Sequence, residues 1–494
     1  MARSRELDRH IALQRFGLGA RKGHAVDDAR AVLLSEIADP VRALITDAEI
    51  VAAGAPAGSP IDPAGKPPLM SGQAMFALHL DEEERVRQQR DARKAAAQAG
   101  NSMEAAPAPP AMTAPTPNNP MAAPRVGELF YRREAMARML HAITQPVGLV
   151  ERLVMFWSNH FAVSVQKGLP LRALAGPFER EAIRPHVLGR FEDMLLAVEQ
   201  HPAMLIFLDN RASVGPASKA GQNRRRGLNE NLAREILELH TLGVNGGYTQ
   251  TDVTALARII TGWTVAGREG QLALPGAFAF NTNAHEPGAH ALLGKTYGEQ
   301  GIEQGVTALR DLARHPATAG HIARKLVRHF VADAAPSGLV SRLETTFKQT
   351  KGDLAKVISV LIESSEAWDA PLTKLRAPYE GLVATYRAFD RQPQQPGEIN
   401  GPLNAAGQPL WGPQGPNGYA DDAASIAAPE AMKTRLETAA AAARRFGGPV
   451  NPLHLAEELF GPGLSPETRT AIARAESKPQ GHALLLMSPE FLRR

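Results

Sequence analysis

From Val126 to Arg387 apolar residues return every three or four positions while charged and amide residues fill the opposite face, a spacing that predicts successive amphipathic helices. The predicted helices are Gly127–His141, Val147–Asn159, Phe178–Val187, Arg190–His201, Leu228–Leu242, Asp252–Thr261, Gly301–Arg314, Pro316–Phe330, Leu339–Lys348, Leu354–Ser364 and Lys374–Arg387. Short loops between them predict neighbours packed side by side. Upstream, Leu7, Ile11 and Phe16 mark a helix ending among Gly17, Gly19 and Gly23; Asp27–Ile37 reads as a second, and the polar run Asp81–Arg93 as an exposed one. His201–Pro202 and His315–Pro316 have the form of helix starts, with proline at an early position and the histidine capping or packing.

Three stretches break the pattern. Residues 91–125 are dominated by Ala and Pro, which cannot bury enough surface to hold one conformation, so a flexible insertion is expected. Gly267 to Lys295 has no sustained period and predicts a long loop with a short hairpin, and Arg391 to Asp422 is rich in Gly, Pro, Gln and Asn. The last two are suited to cover a cleft. The expectation is a mainly α protein, a compact multi-helix array with long irregular loops. Its parts are an N-terminal helical portion (1–90), the insertion (91–125), a central helical core (126–390), an irregular segment (391–430) and a C-terminal helical portion (431–494).

With 494 residues, 44% of them hydrophobic, the chain can bury a large core. A net charge of +4 gives no basic body for nucleic acid, and the one dense basic cluster, Arg224–Arg226, has no aromatic residues interleaved to stack bases. The absence of cysteine excludes disulfides, thiolate nucleophiles and all-cysteine metal centres. Charges interrupt every apolar run near the amino terminus, so no signal peptide is expected, and no run approaches the roughly 20 apolar residues of a membrane span. A cytoplasmic location follows for the chain as it stands, or a periplasmic or envelope-associated one if an export signal has been removed. No Gly-x-Ser-x-Gly elbow, His-Glu-x-x-His helix or phosphate-binding loop is present.

The densest polar pattern lies between Gly227 and Gly243. At 100° per residue, Leu228, Leu232, Ile236 and Leu239 share one face, and Asn231, Glu235 and Glu238 converge on another with Arg234 beside them. Paired carboxylates of this kind hold a cation or divide into acid and base, and Arg234 clamps an anion. The plainer account is a solvated helix face, with Arg234 at ion-pair spacing from Glu230 and Glu238. Thr249 and Asp252 form a capping box for the next helix. In Trp157–Ser158–Asn159–His160–Phe161 the rings anchor an imidazole that is a general base, a metal ligand or a satisfied core histidine. His285–Glu286 and His290 sit in irregular sequence from which they can reach a helix.

Several segments, among them LQRFGLGA (Leu13–Ala20), FWSNHF (Phe156–Phe161), HPAMLIFLDN (His201–Asn210), LNENLAREILELHTLGVNGGYTQTDV (Leu228–Val253) and ARIITGW (Ala257–Trp263), resemble the bacterial family called domain of unknown function 1800. The likeness extends over nearly the whole chain outside 91–125 and implies one α-rich unit. It supplies no catalytic assignment. It also implies, as a partner, a protein resembling the sulfatase-like ones often encoded beside the family, and it implies export for many relatives. Where the family is expected to carry His–Asp, this chain has His285–Glu286.

Together these readings assign catalytic roles to His160, Arg234, Glu235 and Glu238, a divalent metal to Glu235, Glu238, His160 and His285, and further binding contacts to Asn231 and His240. No cofactor is identified beyond that divalent-ion expectation. The chemistry expected is hydrolysis with or without a metal, with metal-dependent oxidation as a lesser alternative. The main alternative is a noncatalytic envelope or assembly protein that binds a partner.

Overall fold

The structure is a computed structural model that describes residues 5–24, 26–45, 70–100, 125–223 and 227–494. It is mainly helical, as expected, with four short strands as the β-structure among the described residues. None of the described helices is long and apolar enough to cross a membrane. The Pro316–Phe330 helix falls where its pattern predicts, and Val126–Thr144, Leu149–His160, Phe191–Glu199, Gln250–Ile259, Ile302–Arg314 and Leu354–Glu363 lie within a few residues of prediction.

Caps set several of these boundaries. His201 Nδ1 accepts the N–H of Ala203 and His315 Nδ1 that of Ala317, each ahead of a proline whose missing N–H needs no partner there. The Thr249–Asp252 capping box is formed. The exposed helix around Asp81–Arg93 runs from Gly72 to Gly100, so the first ten residues of the Ala/Pro-rich interval are helical. Residues 101–124 and the basic cluster Arg224–Arg226 lie outside the described residues.

Two predicted helices are not regular. In place of Phe178–Val187 the Leu169–Phe178 helix passes into a π turn, Glu179–Ile183, and a 3-10 turn, Arg184–His186. Pro177 and Pro185 lie within this stretch and donate no backbone N–H, which disrupts a single α-ladder. In place of Leu228–Leu242 there is one α turn, Asn231–Glu235, and then a π turn, Ile236–His240. The Thr241 hydroxyl bonds the carbonyl of Ile236 at 2.6 Å and helps hold the wider turn. Lys374 to Ala377 is extended, and the helix expected from Lys374 begins at Pro378.

The hairpin expected between Gly267 and Lys295 resolves into two short ribbons. Trp263–Val265 pairs antiparallel with Phe278–Phe280, and His290–Leu292 with Lys295–Tyr297. The turn of the second places Leu293 and Gly294 at positive φ, and the Leu293 N–H is fixed at 2.7 Å by Asp252 of the neighbouring helix.

The core runs through a ladder of rings, Trp157 to Phe161, Phe161 to Phe191 and Phe191 to Phe347, at centroid spacings of 5.9, 6.2 and 5.7 Å. Burying each such side chain contributes about 1.5–3 kcal/mol. The ladder fixes the Leu149–His160 helix, so His160 at its end has a defined direction. The Pro316–Phe330 helix and the chain from Gln408 to Asp422 line the same cavity as this helix end.

Candidate active-site cavity

The end of the 149–160 helix, one face of the 316–330 helix and the start of Pro378–Ala388 surround a cavity of about 360 Å3. Arg138, Phe178, Glu179 and the irregular chain from Gln408 to Asp422 complete its wall, so the second of the two expected covering segments does line a cleft; residues 267–295 contribute nothing to its lining. Asn159 ties that wall down, donating to the carbonyl of Tyr419 at 2.9 Å and accepting the Tyr419 N–H at 2.7 Å. Gly418, at φ +73, lies so close that a Cβ there would stand 2.4 Å from the Asn159 carbonyl oxygen.

His160 lines the cavity and is nearly fully buried. Its Nε2 lies 3.2 Å from the carbonyl of His240, and its Nδ1 lies 2.8 Å from Nζ of Lys325. A carbonyl only accepts, so these partners assign the proton to Nε2 and leave the Nδ1 lone pair to the lysine. Burial, then Lys325, His321 and His240, hold the imidazole well below its ordinary pKa, and it is neutral. Burial also brings the Lys325 ammonium down to about 8; Asp421 opposes the shift and Arg328 reinforces it. Among the described residues no carboxylate stands within ion-pair distance of Lys325.

The carboxylates around the cavity are engaged by other groups. Glu179 pairs with Arg138 and Arg184 and accepts from Ser158 and from the indole of Trp411. Glu380 lies between Arg152 at 3.2 Å and Arg494 at 2.9 Å. Asp421 accepts from His329 Nδ1 at 2.7 Å and from Arg494 at 2.8 Å. Burial opposes ionisation of Glu380, but Arg152 and Arg494 outweigh it and bring its carboxyl down to about 2. In the same way His329 and Arg494 hold Asp421 below its ordinary range. These pairs fix the cavity wall.

Of the residues assigned a catalytic, metal or binding role from the sequence, only His160 lines this cavity, next to Ser158 and Asn159 of the same segment. His240 lies behind it, ring centroids 6.2 Å apart, with Nδ1 on Glu199 at 2.7 Å. Glu235 is half-buried, and burial raises its pKa; His240 opposes that shift and Glu238 reinforces it. Glu238 accepts from Tyr248 at 3.5 Å. Arg234 faces outward to Glu230 and Gln250, and Asn231 is exposed with its N–H on Asn229. His285 is elsewhere, with Nδ1 on the carbonyl of Thr261 at 2.9 Å, while Glu286 accepts the N–H of Ala217 at 2.8 Å.

The four residues expected to share a metal, Glu235, Glu238, His160 and His285, are thus not brought together. Among the described residues no three His, Asp or Glu side chains are grouped as a metal set. The π turn is one physical reason, because it interrupts the 100° spacing on which the Glu235/Glu238 face was projected. The cavity-lining groups that sequence reasoning missed are Lys325, Arg328 and Tyr379. Lys325 carried a readable signal: His321, Lys325 and His329 recur every four residues, on one face of a helix.

The family described as "Protein of unknown function (DUF1800)" matches residues 11–493. The chain belongs to this family. No curated protein and no solved structure matches it. The DUF1800 match includes every residue that lines the cavity, all of which follow the 101–124 interval.

Proposed function

We propose that this DUF1800 protein is an enzyme that performs acid–base chemistry on a small molecule held in the 360 Å3 cavity, with Lys325 transferring the proton and His160 positioning it. The observation that carries this reading is the 2.8 Å contact of Lys325 Nζ with a neutral imidazole, where a structural buried lysine would meet a carboxylate. An amine near pKa 8 supplies both protonation states close to neutral pH, as a group that takes and returns a proton must.

Hydrolysis of an acyl bond is the reaction that asks least of these residues. Neutral Lys325 takes a proton from water as its oxygen adds to the carbonyl carbon, and the resulting ammonium returns that proton to the leaving group as the acyl bond breaks. His160, with Nε2–H fixed by the His240 carbonyl, keeps its Nδ1 lone pair on the lysine through both steps.

Amine-reactive labelling of Lys325 across pH, read by peptide mass spectrometry, tests the proton-transfer role. A midpoint near 8 is expected. A midpoint near the ordinary 10.5 would return the cavity to a structural part in a noncatalytic assembly protein. Hydrolysis of p-nitrophenyl acetate supplies the activity readout, with Lys325→Met expected to lose about 100-fold or more.

A further inference from the structure

The charges around the cavity do not balance once each carboxylate is assigned its partners. Glu179, Glu380 and Asp421 are each held by cationic groups, and the fourth lining carboxylate, Asp422, accepts from the N–H and hydroxyl of Ser425. Lys325 and Arg328, three residues apart on the 316–330 helix, both line the cavity, and among the described residues neither has a carboxylate within ion-pair distance. Lys325 is partly buried beside His160, and Arg328 is exposed at the rim.

A second observation comes from the 378–388 helix. Tyr379 lines the cavity, and its hydroxyl is buried without a hydrogen-bond partner. Orphaned buried donors of this kind are uncommon, because each forgoes the hydrogen bond it would make in water. Burial pushes the phenol up to about 12, so it stays a donor at neutral pH. Phe156, Phe178 and Trp411 add ring surface to the lining.

We propose that the substrate is a small organic carboxylate: Arg328 takes the carboxylate at the rim, the ring-lined wall takes the apolar body, and Tyr379 donates to a neutral oxygen near the reacting centre. A single guanidinium fork matches a planar carboxylate in bidentate fashion. With Lys325 assigned to proton transfer, one arginine that feels Asp333 and Asp422 only beyond ion-pair distance and one phenol suit a monoanion better than a doubly charged phosphate. This inference rests on the cavity being the active site. It adds a consequence for Lys325, whose proton affinity rises when an anion binds beside it, which strengthens it as a base.

The test uses the full chain and three probes of one shape: phenylacetate, phenylacetamide and phenyl phosphate. Binding is measured by calorimetry and by protection of Lys325 from amine labelling. Phenylacetate is expected to bind and to move the Lys325 labelling midpoint to higher pH, and the amide to bind about tenfold more weakly or worse. Arg328→Gln is expected to erase that preference, and Tyr379→Phe, which removes the donor to a neutral oxygen that phenylacetate lacks, to leave phenylacetate binding and the melting temperature intact while slowing p-nitrophenyl acetate hydrolysis. Equal binding of acid and amide, tighter binding of the phosphate, or no binding of any probe would overturn the proposal. An Arg328-dependent preference for the acid together with a Lys325 midpoint near 10.5 would support it while removing the acid–base reading.

Discussion

Glu199 accepts the Nδ1–H of His240 at 2.7 Å, and neither side chain has any solvent exposure. The carbonyl of the same His240 receives His160, so the residue that fixes the imidazole beside Lys325 is itself held by a buried carboxylate. Glu199→Ala leaves the His240 donor buried without an acceptor and is expected to cost about 1–3 kcal/mol in urea unfolding. It is also expected to move the Lys325 labelling midpoint. A destabilised variant with an unmoved midpoint would confine Glu199 to a structural role.

Lys325 lies where burial disfavours its charge, and replacing it is expected to stabilise the protein. Its pKa falls from 10.5 in the unfolded chain to about 8 in the folded one, so the folded state holds its proton less tightly. The resulting penalty is complete below about pH 8 and disappears as pH rises toward 10.5. Lys325→Met at pH 7 is expected to gain on the order of 1–2 kcal/mol, discounted for the lysine's partial exposure. Loss of stability in this variant would mean that the site favours the ammonium.

Acid sensitivity is expected to begin well above the carboxylate range. Burial lowers His10, His321 and His329 to about 4, against 6.5 in the unfolded chain. Each contributes stability that is complete above pH 6.5 and is lost as pH falls toward 4. Glu380, down at about 2 from 4.5, adds a second loss below pH 4.5. A melting-temperature series should therefore be level from pH 7 to 8 and decline steadily from pH 6.5. A level profile down to pH 5 would contradict these neutral imidazoles.

Glu380 is expected to be among the most sensitive positions in the wall. Glu380→Gln keeps the side chain's size but leaves Arg152 and Arg494 buried without their shared anion, at a cost of about 3–5 kcal/mol. Chemical denaturation measures it, and a change below about 1 kcal/mol would show that Asp421 alone suffices for Arg494.

Gly418→Ala probes the covering wall. The new Cβ cannot fit beside the Asn159 carbonyl, and the positive φ disfavours it as well. The 408–422 chain is expected to lift from the 149–160 helix and expose Lys325 to faster labelling. Unchanged labelling would mean that the wall accommodates the methyl group in place.

The helices were legible because burial on one face leaves a periodic trace, as at Pro316–Phe330, and because histidine–proline pairs mark their starts. His160 was legible for a related reason, as a polar residue set between anchoring rings. Glu235 and Glu238 do influence each other, but the metal set with His160 and His285 was not legible, since which distant segments meet is set by long-range fit and leaves no spacing to read. Lys325 left one trace, the four-residue recurrence of His321, Lys325 and His329, in a helix whose other charges resemble an ordinary solvated face. Its distinguishing property, an imidazole where a carboxylate is expected, depends on His160, 165 residues away in the chain.

The cavity draws its lining from Arg138 through Asp422, and two of its carboxylates are held by Arg494. Synthesis is vectorial, so a nascent chain that has emerged as far as the 316–330 helix already carries His160 and Lys325 but has neither the Gln408–Asp422 wall nor its arginine tie. Lys325 therefore comes into existence as an ordinary exposed lysine. It acquires its lowered proton affinity only after the Gln408–Asp422 wall has been translated and has packed.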